Sequence, residues 1–227
     1  MSERNHELAF RMAELARSVA GPRGVDEVLR EVTAAAIELI PGADAAGVLL
    51  VGKAGKFESL AGTSGLPHEL DELQIKHQEG PCLEAAVDAL IVRSDDFHTE
   101  TRWPNYTRDA LELGVQSGLS FKLYTAERTA GALNLFGFEA NVFNSESEAI
   151  GSVLAAQAAA AILASRRDEQ LQSALMSRDL IGQAKGVIME RFNVDDARAF
   201  AMLRELSQSG NTKLVEIAQQ VLDTRGN

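Results

Sequence analysis

The last fifty-one residues, SRDLIGQAKGVIMERFNVDDARAFAMLRELSQSGNTKLVEIAQQVLDTRGN from Ser177 to Asn227, decide the reading of this chain. Three apolar stripes at helical spacing run through them: Leu180/Ile181/Ala184/Val187/Ile188, Ala199/Phe200/Leu203/Leu206 and Leu214/Ile217/Ala218/Val221. Asn193-Val194-Asp195-Asp196 separates the first two and offers Asn or Asp as an N-cap. Ser209-Gly210-Asn211-Thr212 separates the others, with a Gly stop and an Asn or Thr start. A three-helix module of this size buries little surface by itself, so it reads as an output head attached to something larger.

Gln183-Ala184-Lys185-Gly186, Met189, Ala199-Phe200, Leu203-Arg204, Ser207, Asn211-Thr212-Lys213-Leu214 and Ala218 lie along this module in order. On these residues it resembles the ANTAR family of RNA-binding transcription antitermination regulators. The resemblance implies RNA as a partner, with Gly182, Gln183, Lys185, Gly186, Arg204, Ser207 and Lys213 as candidate RNA-binding residues.

The remaining chain is large enough for a domain of its own among the 227 residues. A hydrophobic content of 45% and a charged content of 24% suit a soluble core-forming protein. The alanine-rich run Ala155–Ala164 is too short to span a bilayer, and MSERNHELAF carries no apolar signal core. One cysteine, Cys82, excludes an internal disulfide. A cytoplasmic location without membrane contact is expected.

The net charge of −11 runs against a nucleic-acid binder when taken over the whole chain. Its distribution changes that reading. From Arg166 onward nine Lys/Arg face nine Asp/Glu, so the entire excess lies in the first 165 residues. RNA affinity must come from a local face of the C-terminal module and should be salt-sensitive.

Those first 165 residues predict an α+β domain. Helices are expected at His6–Val19, Val25–Ile40, Leu70–His77, Pro81–Val87 and Trp103–Leu113. Strands are expected at Ala45–Val51, Phe57–Ala61, Ala89–Val92, Leu119–Thr125 and Ala132–Phe138, the last two joined across Ala126–Gly131. Ser145 then opens a long helix, with Glu148 as the partner in a capping box. This order, with Gly80-Pro81-Cys82, Arg102-Trp103-Pro104 and Gly131-Ala132-Leu133-Asn134-Leu135, resembles a GAF domain. The resemblance implies a sensory or dimerisation module with a cleft between sheet and inserted helices, open to a small-molecule ligand that the resemblance does not name.

The expected organisation is an N-terminal helix at 1–20, a GAF-like domain with an antiparallel sheet and flanking helices at 21–165, and a connecting helix with a three-helix ANTAR bundle at 166–227. Ser145–Met176 has no proline and no glycine after Gly151, so one helix can link the two halves. Ala158, Ala161 and Ala164 permit close approach of another helix or a second subunit, and a homodimer through His6–Val19 and Ile150–Leu175 is expected.

Individual residues divide between functional and ordinary readings. Two glycines inside one helix cost about 1 kcal/mol each against alanine. Tight packing or close approach of an RNA backbone beside Lys185 explains Gly182 and Gly186 equally well. Arg204 and Lys213 read as RNA contacts or as solvated charges, Arg204 with Glu205 or Glu190 as a surface partner. Arg178 and Arg191 have Asp179, Glu190 and Asp195 as potential partners. Ser207, Asn211 and Thr212 lie where capping explains them.

Cys82, just after Pro81 near a helix start, reads as a favoured thiolate, and so as a ligand-binding candidate, or as a small buried hydrophobe. Trp103 reads as a liner of a ligand cleft or as an ordinary loop aromatic. His68, His77 and His98 lack metal-ligand spacing, and no P-loop, GxGxxG, GxSxG or HExxH occurs. No catalytic residues, metal or named cofactor are expected. A DNA-binding regulator with helix-turn-helix geometry, and a GAF protein with a merely dimerising tail, remain the alternatives.

Overall fold

A computed structural model describes residues 10–14, 17, 24–51, 57–87, 89–125 and 128–224. The chain divides into two units, 1–165 and 166–227.

In the first unit, α1 (Val25–Leu39) turns Val28, Leu29, Val32 and Ala36 inward on one stripe. Ile40 takes an extended conformation after it, and Gly42 accepts a φ of 81° that few other residues tolerate. The chain then enters β1 (Ala45–Val51) and β2 (Phe57–Leu60). Next come α2 (Leu66–His77), α3 (Pro81–Val87), β3 (Ile91–Ser94), α4 (Pro104–Glu112), β4 (Ser117–Thr125) and β5 (Arg128–Gly137). The five strands form one antiparallel sheet in the order β2-β1-β5-β4-β3.

Strand alternation sends successive side chains to opposite faces, and both faces are covered. Ala46, Val48, Leu119, Phe121, Leu133 and Leu135 pack on one side with Leu29 and Val32 of α1. Ile150, Leu154, Ala158 and Ile162 of α5 (Ser145–Phe192) join the same layer. Ala45, Leu49, Val92, Ala132 and Phe136 pack on the other side with Leu70, Cys82, Trp103 and Tyr106. The α5 approach is so close that a Cβ on Gly151 would stand 2.1 Å from the Phe121 ring.

Four expectations need correction. The third strand is Ile91–Ser94, two residues later than Ala89–Val92, because pairing of Val92 with Ser120 and Ser94 with Gly118 sets its register. Arg93 hides inside it as a polar strand residue, bonded to Glu148 at 2.6 Å. The long helix is capped one residue earlier than expected: Asn144 Oδ1 accepts from the Glu146 and Ser147 amides, and Asn144 N–H donates to Ser147 Oγ. Glu148 is thereby released to bind Arg93. The β4–β5 hairpin closes between Thr125 and Arg128, so its connection is much shorter than Ala126–Gly131.

The fourth correction concerns the interface expected of Ile150–Leu175. Ile150, Leu154, Ala155, Ala158 and Ile162 are already committed to the sheet, and they are not free for a second subunit. Of the expected N-terminal helix, Phe10–Glu14 are helical, the Met12 carbonyl accepting from Gln157 Nε2 at 3.4 Å; most of His6–Val19 lies outside the described residues. By length and composition α5 resembles a membrane span, with a window of mean hydropathy 1.5. Half of that window is buried inside the fold, as in the core helix of a soluble protein.

In the second unit, the C-terminal part of α5 is followed by α6 (Asp196–Ser209) and α7 (Leu214–Asp223). Ala184, Ile188, Ala199, Leu203, Ile217 and Ala218 form its core, with Ile181, Met189, Met202 and Leu214 around them. α5 runs without a break past Met176 and Leu180 to Phe192.

Candidate nucleic-acid interface

The three helices of the second unit are positioned by two short turns. Asn193 adopts a φ of 51° and ends α5, and Asp195 caps α6 by accepting from the Arg198 amide at 2.8 Å. The second turn departs from the expected Gly stop. Gly210 keeps a right-handed φ of −90°, and Asn211 takes the left-handed position at 47°. Asn tolerates that region better than most side chains. Ser207 Oγ donates to the Thr212 carbonyl at 2.7 Å and Thr212 Oγ1 to the Gly210 carbonyl at 3.1 Å. Ser207 is therefore engaged in closing the turn.

Lys185 projects from α5 between the core stripe and solvent, its side chain 23% exposed. It is not a free lysine: its ammonium pairs with Asp196 at the start of α6. Gly182, Gln183 and Gly186 are exposed beside it. A Cβ added to Gly182 or Gly186 would meet no atom within 4 Å. Packing inside the module therefore does not account for these glycines, and the bare backbone faces open space. Gly182→Ala and Gly186→Ala should each raise helix stability by about 1 kcal/mol in the free protein. A thermal melt beside an RNA titration checks their purpose: greater stability with weaker binding is expected where RNA approaches this backbone.

Arg204 is exposed and has no ion-pair partner among the described residues. The expected pairing with Glu205 is replaced, because Glu205 accepts from Arg198 at 3.3 Å. Lys213 is exposed at the start of α7, and Arg178 and Arg191 are exposed without the acidic partners anticipated for them. The stripe on α6 is narrower than the sequence suggested. Ala199 and Leu203 are buried, whereas Phe200 is 41% and Leu206 51% exposed. Leu171 and Leu175 of α5 also face solvent.

The two ligand candidates of the first unit are both interior. Cys82 is buried and its amide donates to Gln74 Oε1 at 2.8 Å. Burial, with Asp71 nearby, pushes its thiol well above the usual range, which removes the thiolate reading. Trp103 is buried in the α2–α4 cluster, with the Arg102 guanidinium 4.2 Å from its ring centroid. Sequence reasoning missed the polar group beside Cys82: Asp71, Gln74 and Asn134 are all buried. The signal available was the spacing of Pro67, Leu70, Asp71 and Gln74, a helical stripe with two polar members.

The first unit has well-defined structural relatives, whose low identities establish likeness of fold. It is similar to the GAF domain of a phosphoenolpyruvate-protein phosphotransferase from Coxiella burnetii, at 19% identity and a TM-score of 0.58 over 74% of this chain and 99% of that one. It is similar to the free methionine-R-sulfoxide reductase of Neisseria meningitidis, at 16% identity and a TM-score of 0.55 over 74% and 95%. The photosensory core module of the Stigmatella aurantiaca phytochrome aligns at 11% identity and a TM-score of 0.59, over 88% of this chain and 45% of that one. No curated protein sequence matches the chain. Residues 169–222, the three-helix unit, match the ANTAR domain. Residues 22–163, well over half the chain, match the GAF domain, and this protein belongs to the GAF family with a GAF–ANTAR architecture.

Proposed function

We propose that this protein is a cytoplasmic transcription regulator whose ANTAR head binds paired RNA stem-loops and promotes antitermination under control of its GAF half. The observation that carries the reading is the ANTAR match over 169–222, which coincides with a self-contained three-helix unit. The exposed Arg178, Arg191, Arg204 and Lys213 and the partly exposed Lys185 supply cations for phosphate contacts. Hairpin loops suit such a head because their unstacked bases are accessible, unlike those in the deep A-form groove.

Two hairpins call for two heads, so the active species is a homodimer. With Ile150, Leu154, Ala155, Ala158 and Ile162 used inside the GAF core, the contact falls to exposed apolar residues of α5 such as Val153, Leu171, Leu175 and Met176. A ligand of the GAF half would act by preferring one arrangement of the heads over another. Gel shifts with tandem stem-loops and with duplex DNA test the function, and RNA-selective, salt-sensitive binding is expected. Preference for duplex DNA would make this a DNA-binding regulator. Binding to neither would leave a GAF protein with a helical tail. Light scattering of the full chain at micromolar concentration should give a dimer mass, and a strictly monomeric species with and without RNA overturns the two-head arrangement.

A further inference from the structure

Helix α2 turns a carboxyl group into the first unit. Asp71 is 1% exposed, and its two oxygens have different surroundings. Oδ1 accepts from the Asn134 amide of β5 at 3.3 Å and from the Gln74 amide at 3.5 Å. Oδ2 accepts from Ser59 Oγ of the edge strand β2 at 2.7 Å. Ser120 Oγ of β4 holds Asn134 in turn, at 2.8 Å. All of these donors are neutral.

The titratable groups around Asp71 offer little compensation. On α2 itself His68 lies one turn back, but its side chain is 63% exposed and pairs with Glu72 at 3.4 Å. From α3 comes Cys82 and from α4 Tyr106, both buried, with their own proton loss made harder by Asp71. β1 and β3 bring only Ala45, Leu49 and Val92 to the surrounding cluster. No Lys or Arg among the described residues bonds to Asp71. A carboxylate stripped of water and given only neutral donors gains by taking up a proton.

We propose that the contact between α2 and β2 is a proton-responsive switch, in which Asp71 exchanges one proton with solvent while Ser59 changes from hydrogen-bond donor to acceptor. Hydronium gives its proton to Asp71 Oδ2 and leaves as water. The new O–H donates to Ser59 Oγ, and the Ser59 hydroxyl hydrogen rotates away. The amide donors on Oδ1 remain in place, since a carboxylic carbonyl accepts them as well. Only one hydroxyl has to move, and it belongs to a four-residue strand at the sheet edge. A serine hydroxyl can serve either role, so both protonation states fit the same backbone.

Burial raises the Asp71 carboxyl from 3.8 to about 7, against the opposing effects of Ser59, His68 and Asn134. The folded pKa lies above the unfolded one, so the folded protein binds more protons between those two values. Stability is then highest below the unfolded pKa and is lost as pH rises toward the folded one. The folding constant falls by up to about tenfold per pH unit across that window.

The test uses the full chain and two readouts. Infrared difference spectra report the protonated carboxyl itself, and the fluorescence of Trp103, the one tryptophan in the sequence, reports the same buried cluster. As pH is lowered, a carboxylic-acid band should appear with a midpoint near 7, accompanied by a Trp103 change. Both should vanish in Asp71→Asn. Ser59→Ala removes a donor to the carboxylate and should move the midpoint up, whereas His68→Gln should retain the band. A band that appears only below about pH 5, the ordinary carboxylate range, overturns the proposal. So does its persistence in Asp71→Asn. Should that variant fail to fold, an unchanged midpoint in Ser59→Ala overturns it equally.

Discussion

Gly131→Ala is expected to destabilise the GAF half by about 2–4 kcal/mol, which lowers its melting temperature by about 5–15 °C. Gly131 lies in β5 between two partners, opposite Leu50 of β1 and Leu123 of β4, beside the register shift at Leu123/Tyr124. Its φ of 144° is one that L side chains rarely adopt. A Cβ there would stand 1.8 Å from the Leu49 carbonyl oxygen. Two costs add: the backbone conformation and the collision with a neighbouring strand that cannot rotate away. Leu49 and Leu50 would have to move, which disturbs the β1–β5 ladder at the centre of the sheet. Circular dichroism melts of the variant and the parent check this. Equal melting temperatures would mean that the strand pair has more freedom than its register implies.

Gly131 was visible in the sequence as the first residue of Gly131-Ala132-Leu133-Asn134-Leu135, but the reason for it was not. Its constraint comes from Leu49, more than eighty positions earlier, and no local pattern carries that distance. Elements defined by local chemistry were read well. β1 and α3 have the boundaries that alternation and Pro81 suggested, and α1 ends beside Pro41-Gly42. Elements defined by pairing were read less well. Ile91–Ser94 was shifted because Arg93 makes the strand look like a loop, and its guanidinium is held by Asp95 just beyond the strand and by Glu148 on the distant α5. The uninterrupted course of α5 to Phe192 was hidden by Gly182 and Gly186, which lower helix propensity without ending the helix.

The candidate sites divide in the same way. Burial of Cys82 was one of two open readings, and the structure decides between them. Asp71 in the run LPHELDELQIKH looks like one more solvated acid beside Glu69 and Glu72. Its interior position depends on Ser59 and Asn134, which reach it from β2 and β5. The RNA candidates came from the resemblance to the ANTAR pattern, as residue types alone. Their exposure and pairing were not, since these follow from how α6 folds back on α5.

Lys185 and Asp196 make that distinction measurable. With the RNA reading above, Lys185→Ala is expected to weaken tandem-hairpin binding by about 1–3 kcal/mol if its ammonium makes a charge-assisted contact. The salt dependence should lose about one phosphate contact. Asp196 holds the same ammonium in the free protein, so a phosphate that binds Lys185 would have to compete with its carboxylate. Asp196→Asn should therefore tighten binding, by up to about fivefold for an exposed pair. It should also lower stability slightly, since Asp196 is the acidic residue in the first turn of α6. The double variant separates a local exchange of partners from a general loss of negative charge. If RNA replaces Asp196 as the partner of Lys185, Asp196→Asn gains little affinity once Lys185 is alanine. If the gain is the same in both backgrounds, Asp196 acts through long-range charge alone and Lys185 is a structural lysine that ties α5 to α6. Salt titrations of all four proteins on one tandem stem-loop RNA, with melts alongside, give the answer directly.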